Sequence, residues 1–116
     1  MTHDLPSLTQ ALRDFAQARD WERFHSPKNL ASALSVEAAE LLEHFQWLTE
    51  AQSRTLSAPQ KSAVAAEAAD VLLYLLQLCD KLGIDLVEAA RLKMIVNGEK
   101  YPVALARGSG HQSPAR

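Results

Sequence analysis

The sequence predicts an all-α protein built as a four-helix bundle. Three observations predict it. Strand signals are nearly absent: no run of β-branched residues alternates with polar ones, and glycine occurs only four times in 116 residues. Helix start signals recur, each a Ser or Asp followed three residues later by Gln or Glu, or directly by Pro. Long Ala-, Leu- and Val-rich stretches lie behind those signals.

Ser7 with Gln10 reads as a capping box opening a first helix over about residues 8–20. Trp21 to His25 reads as an irregular connection. Ser26-Pro27 places a cap before a proline at the first helical position, so a second helix is expected from Pro27 to about Leu48. The polar segment Thr49–Ala58 reads as a loop. Ser57, Pro59 and Gln60 open a third helix over about 59–82, with Gly83 as its stop. Asp85 with Glu88 opens a fourth, to about Asn97, ended by Gly98 and Pro102. Residues 1–106 are expected to form one domain, and the Gly/Ser/Pro-rich residues 107–116 a disordered tail. Four helices, one of them short, leave amphipathic faces to cover, so a homodimer or homotetramer is expected.

Composition narrows the partners. Asp and Glu number 14 against 12 Lys and Arg, which argues against a nucleic-acid polymer as ligand. A single cysteine, Cys79, excludes an internal disulfide and reads as a buried thiol in a reducing cytoplasm. The first six residues carry an acid and a proline where a signal peptide would be apolar. The longest uninterrupted apolar run, Val71–Leu76, is too short to cross a bilayer, so no membrane association is expected.

Two acidic pairs carry the chemistry: Glu37 with Glu40, and Glu67 with Asp70. Residues three apart on a helix lie within about 60° of each other, so each pair shares a face. His44 and Trp47 extend the first stripe; Tyr74 and Gln77 extend the second. Such pairs are most often a solvated face. Here the sequence neighbours are apolar (Leu34, Val36, Ala38, Ala39, Leu41 and Leu42 around the first pair), and i,i+4 basic partners are few. Carboxylates brought together in a core need a compensating cation. Oxygen-only ligands suit Mg²⁺ or Mn²⁺ over zinc, and Mg²⁺ commonly binds phosphate as well. A di-iron bundle would use Glu-x-x-His pairs; His44 falls one residue too late and the third helix has no His.

The sequence resembles the MazG-like all-α nucleoside triphosphate pyrophosphohydrolases. Their hallmark is E-x-x-E followed, after a gap of a dozen to nearly thirty residues, by E-x-x-D; Glu37, Glu40, Glu67 and Asp70 match it. Arg19-Asp-Trp-Glu-Arg-Phe-His25, Pro27-Lys-Asn-Leu30, Phe45-Gln-Trp47 and Asn97-Gly-Glu-Lys-Tyr-Pro102 are similar to the dCTP pyrophosphatase branch. The resemblance implies a bundle completed by oligomerisation, and Mg²⁺-dependent cleavage of dCTP or a 5-modified dCTP to the monophosphate and pyrophosphate. It implies that Glu37, Glu40, Glu67 and Asp70 hold the metal. Trp21, Phe24, His25, Trp47 and Tyr74 would then form the nucleotide pocket, with Asn97 and Lys100 near the phosphates. Some relatives carry a His in the first helix where this chain has Leu12, which leaves base preference open.

Physical arguments bear on several of these residues. Trp21 lies among Asp20, Glu22 and Arg23 at a helix break, poorly placed for a purely core role. Lys28 sits in a helix's first turn, beside free backbone N–H groups, where an anion is favoured. His25 reads equally as a cap of the connection, Tyr74 as a core residue with a backbone partner, and Lys100 as a lysine favoured by a helix C-terminus. The expected reaction is in-line attack of water on the α-phosphorus, with Glu40, or failing that Glu43, taking the proton. The rival readings are a pyrophosphohydrolase for dUTP or another non-standard triphosphate, and a non-catalytic helical interaction module.

Overall fold

The computed structural model describes residues 4–108, and helices are its only regular secondary structure. Two compact units divide the chain, one up to Gly83 and one from Ile84. The first holds helices α1 (Leu5–Ala18), α2 (Pro27–Glu43), α3 (Glu50–Arg54) and α4 (Ala58–Leu82), with a single 3-10 turn at Glu22–Phe24. The second holds α5 (Leu86–Lys100) and the one-turn α6 (Val103–Ala106). Beyond Gly108 the expected tail lies outside the described residues.

Both α2 and α1 pack on α4. Ala16 of α1, Leu30 of α2, and Leu76 and Cys79 of α4 form the buried core of this unit. Removing a leucine side chain such as Leu30 from water stabilises by about 1.5–3 kcal/mol. Across α1 and α4, Arg13 clamps Asp80 with both arms of its guanidinium; Nε donates to Oδ2 at 2.8 Å. That pairing holds the Asp80 carboxyl below the ordinary aspartate range. By length and composition alone α4 could cross a membrane, because its alanines raise the mean hydropathy of an 18-residue window to 1.5. The expectation drawn from Val71–Leu76 overlooked those alanines.

Several boundaries differ from expectation, each for a local reason. α1 starts earlier because Asp4, not Ser7, is the cap: Asp4 Oδ1 accepts the Ser7 N–H at 2.9 Å, and Pro6 fits the first turn. It also stops earlier, at Ala18. The Trp21 N–H reaches back to the Ala16 carbonyl and the Asp20 N–H to that of Gln17, with Asp20 left-handed at φ 54°. This is a Schellman stop with an aspartate where glycine is usual. α2 ends at Glu43 instead of Leu48, and residues 44–47 form turns.

The segment expected as a loop contains α3. Thr49 Oγ1 accepts the Gln52 N–H at 3.1 Å, while Gln52 Oε1 accepts the Thr49 N–H at 2.9 Å. α4 behaves as expected, with the Ser57/Gln60 capping box at its start and Gly83 left-handed at φ 67° at its end. In α5, Asp85 caps the Glu88 N–H, but the Glu88 carboxylate turns to Arg91 and leaves the box half made. Gly98 does not stop α5; glycine inside a helix costs about 1 kcal/mol relative to alanine and forbids nothing. The stop comes from Pro102, which disfavours a helical Tyr101 (φ −122°).

A candidate metal centre beside an aromatic cavity

Which residues face inward decides the site. On α2 the shielded positions are Leu30, Ala33, Leu34, Glu37, Glu40 and Leu41, the 3–4 spacing of one helical stripe. On α4 they include Ala63, Val64, Glu67 and Val71. Glu37, Glu40 and Glu67 thus occupy places in the same stripes as core aliphatics. The alanines that flank them in sequence (38, 39, 65, 66, 68 and 69) are exposed. Ala38 and Ala39 were among the apolar sequence neighbours taken as evidence against a solvated face; neighbours along a helix point elsewhere, and only the stripe counts.

The packing of α2 on α4 brings Glu37, Glu67 and Asp70 together, one carboxylate oxygen from each within 4.8 Å of the others. Oε2 of Glu37 and Oε2 of Glu67 are buried without a hydrogen-bond partner. No ion pair among the described residues neutralises the cluster. Glu37 is consequently pushed above the usual glutamate range, first by the Glu67 carboxyl beside it and then by burial. Glu40 is also raised, chiefly by the neighbouring Glu37 carboxyl. Glu40 therefore adjoins the cluster, while the ligand-spaced group is a trio.

These oxygens fit a hard divalent cation. Two buried acceptors lack any donor, and unpaired buried carboxylate is expensive without a positive charge. Oxygens bound to one Mg²⁺ lie at most about 4.2 Å apart, twice its ~2.1 Å bond length, so a slight carboxylate rotation suffices.

Asp70 belongs to a second feature. A cavity of about 160 Å³ is lined by Leu12, Phe15, Ala16, Trp21, His25, Asp70, Leu73, Tyr74 and Gln77. A single water needs only about 10–15 Å³ on this measure, so the space admits an organic group. The Schellman stop of α1 builds its aromatic side. By turning the chain at Asp20 it sets the Trp21 ring edge-on to Phe15, centroids 5.7 Å apart. The His25 ring also lies edge-on to Trp21, centroids 6.3 Å apart. Along α4, Asp70, Tyr74 and Gln77 share one face, since four and seven residues return close to the same azimuth.

Trp21, His25 and Tyr74, expected from sequence, thus come together beside Asp70. The other expected residues are not among those lining the cavity. Phe24 is exposed in the 3-10 turn, with the Arg23 guanidinium 4.7 Å from its ring. Trp47 is 86% exposed in the turns after α2; with that helix ended at Glu43, it no longer extends the acidic stripe. His44 is the exposed C-cap of α2, and Glu43 is exposed at its last turn. Lys28 is exposed in the first turn of α2. Asn97 and Lys100 lie in the second unit, three residues apart on α5, which persists through both. Phe15, Leu73 and Gln77 were missed as cavity residues. For Gln77 a signal existed, its place on the Asp70–Tyr74 stripe.

The comparisons with known proteins agree with this geometry. The MazG-like family matches residues 32–113, which include both acidic pairs. dCTP pyrophosphatase 1 of Mus musculus is 44% identical over 107 residues, covering 90% of this chain and 63% of that protein. The Homo sapiens protein of the same name is 42% identical over 110 residues, covering 93% and 65%. The chain therefore spans somewhat under two thirds of the length of these curated relatives. A crystal structure of a pyrophosphatase from Archaeoglobus fulgidus superposes with a TM-score of 0.72 at 43% identity, covering 88% of this chain and 95% of that one. A helical chain whose matched region contains an acid trio built from paired carboxylates on two packed helices belongs, on this similarity, to the MazG-like family.

Proposed function

We propose that this chain is a Mg²⁺-dependent nucleoside triphosphate pyrophosphohydrolase acting on dCTP or a 5-modified dCTP, with a house-cleaning role in the nucleotide pool. One observation carries the reading: an acid trio with two buried, unpartnered oxygens opens through Asp70 onto an aromatic-lined cavity. The first feature calls for a cation and the second for a flat organic ring. A nucleotide on Mg²⁺ supplies both. The names of the mouse and human relatives support the choice of base.

In this proposal Glu37, Glu67 and Asp70 hold the cation, with Glu40 completing the set; Mn²⁺ is the natural substitute. When bound, the cation supplies a water of lowered pKa and neutralises phosphate oxygens. Glu40 accepts the proton of the attacking water, and Glu43 is the second candidate. The water oxygen bonds to the α-phosphorus, the bond from that phosphorus to the bridging oxygen breaks, and pyrophosphate leaves with the electron pair. Trp21 and Tyr74 wall the base and His25 meets base or sugar. Phe24 and Trp47 extend the nucleotide surface, and Lys28, Asn97 and Lys100 serve the phosphates. A homodimer or homotetramer is part of the proposal. Only four described residues are buried, while Val36, Leu42 and Leu72 on the acid-bearing helices remain exposed. A deoxynucleotide substrate and the free Cys79 favour a cytoplasmic setting.

Hydrolysis of a triphosphate panel in ¹⁸O-water, with and without Mg²⁺, tests the reading. It expects metal-dependent release of pyrophosphate with label in the monophosphate. Label confined to pyrophosphate would refute the attack site. Absence of metal-dependent turnover on every triphosphate would refute the enzyme and favour an interaction module.

A further inference from the structure

We propose that Arg19 is a positioning residue: its guanidinium pins the Phe15 ring, and Phe15 in turn holds Trp21 as the wall on which the base stacks. The assignment rests on the nucleotide reading of the cavity.

Neither ring of that wall is fixed by burial. Phe15 is 48% exposed and Trp21 45%. Burial alone therefore selects no single rotamer for either, and specific contacts must do so.

Arg19 makes two such contacts, both to Phe15. Its guanidinium carbon lies 3.5 Å from the centroid of the Phe15 ring. Its Nη1 donates to the Phe15 carbonyl oxygen at 3.1 Å. Ring and backbone of one residue are thus held by one planar group, which an arginine can do because it stacks and donates at once. Phe15 passes the constraint on through its edge-on contact with Trp21, centroids 5.7 Å apart at 68°.

The end of α1 explains why the side chain is there. In a continuing helix the Arg19 N–H would bond to the Phe15 carbonyl; here it turns to the Ala16 carbonyl at 3.2 Å. The Arg19 side chain supplies the Phe15 carbonyl in its place. The same stop brings Trp21 within reach. Six helical residues would set Trp21 about 120° round the axis from Phe15. The left-handed Asp20 folds it back instead, with the Trp21 N–H on the Ala16 carbonyl at 2.9 Å.

No ion pair competes for the guanidinium. Among the described residues Arg19 pairs with no carboxylate, and the adjacent Asp20 pairs with Arg23 at 3.5 Å. A positive charge at a helix C-terminus would be favoured anywhere near the last turn and would not need to lie on a ring.

The test is a double-mutant cycle with Arg19→Met, Phe15→Leu and the pair, read as kcat and KM for dCTP. Arg19→Met should raise KM about two- to fivefold, the worth of one cation–π contact at an exposed site. Its kcat should hold, since the contact serves binding and not the reacting atoms. In the Phe15→Leu background the same change should add nothing, because the ring it acts through is gone. An unchanged KM in Arg19→Met, or an effect that persists in full without Phe15, overturns the inference. A second measurement needs no nucleotide and no Phe15 variant, so it decides the matter if Phe15→Leu fails to fold. In a Trp47→Phe background Trp21 is the one remaining tryptophan. Acrylamide should quench its emission more strongly once Arg19→Met is added; equal quenching overturns the inference. A wild type that hydrolyses no triphosphate overturns the nucleotide reading, and with it the binding role of Arg19, while the quenching still shows whether Arg19 holds the Trp21 ring.

Discussion

Replacing Glu37 by Gln should raise the stability of the metal-free protein while removing its response to Mg²⁺. Glu37 is held above the usual glutamate range by Glu67 and by burial. Its folded form therefore binds protons more readily than its unfolded form. Stability linked to this group is greatest at and below its ordinary value of 4.5 and is lost as pH rises through the raised folded pKa. The metal-free wild type should thus melt at a lower temperature at pH 8 than at pH 5. Glu37→Gln keeps the size of the side chain, removes one charge from the trio and abolishes that part of the pH dependence.

Mg²⁺ acts in the opposite sense at pH 8, because it binds the ionised trio. At one hundred times its dissociation constant a ligand selective for the folded state adds about 2.7 kcal/mol. At about 4 °C per kcal/mol for a chain near this size, that is a rise of about 10 °C. Calorimetry in EDTA and then across a Mg²⁺ titration, for both proteins, reads all of this. A Glu37→Gln variant less stable than wild type in EDTA at pH 8 would refute the reasoning. So would a wild type whose melting temperature ignores Mg²⁺.

Three further outcomes are expected. Leu30→Ala, at a site 1% exposed, should cost about 2–5 kcal/mol in urea unfolding, because a leucine truncated in a packed core leaves a cavity. Asp20→Gly should gain, and Gly83→Ala lose, about 1 kcal/mol in the same assay, since both positions are left-handed and that conformation penalises a side chain. Trp21→Ala should weaken nucleotide binding by an amount set by lost stacking, about 1–3 kcal/mol, or up to roughly a hundredfold in KM; an unchanged KM would remove Trp21 from the pocket.

Much of the fold was legible because caps are local. Ser26, Ser57, Asp85 and Gly83 act where their spacing places them. Reading failed where two local signals competed. Asp4 and Ser7 both offered a cap, and Thr49/Gln52 carried a capping box inside a segment too polar to attract notice. Gly98 looked like a stop, but its flexibility permits a helix at modest cost. The acids were legible from their i,i+3 spacing, whereas their setting was not. Exposed Ala38 and Ala69 sit one position from the trio in sequence and point elsewhere, a distinction that depends on which stripe of α2 meets α4. The aromatic cavity depends on the left-handed Asp20, which no spacing rule announces. Trp21 was therefore found chiefly through the family resemblance, and Phe15 not at all.

The account turns on a cation among Glu37, Glu67 and Asp70. Crystals grown with Mn²⁺ and a non-hydrolysable dCTP analogue would locate it by anomalous scattering. The expected result is a peak bonded to oxygens of all three side chains, with the base lying in the cavity between Trp21 and Tyr74. A peak elsewhere, or the three carboxylates turned apart with the analogue bound away from them, would contradict it.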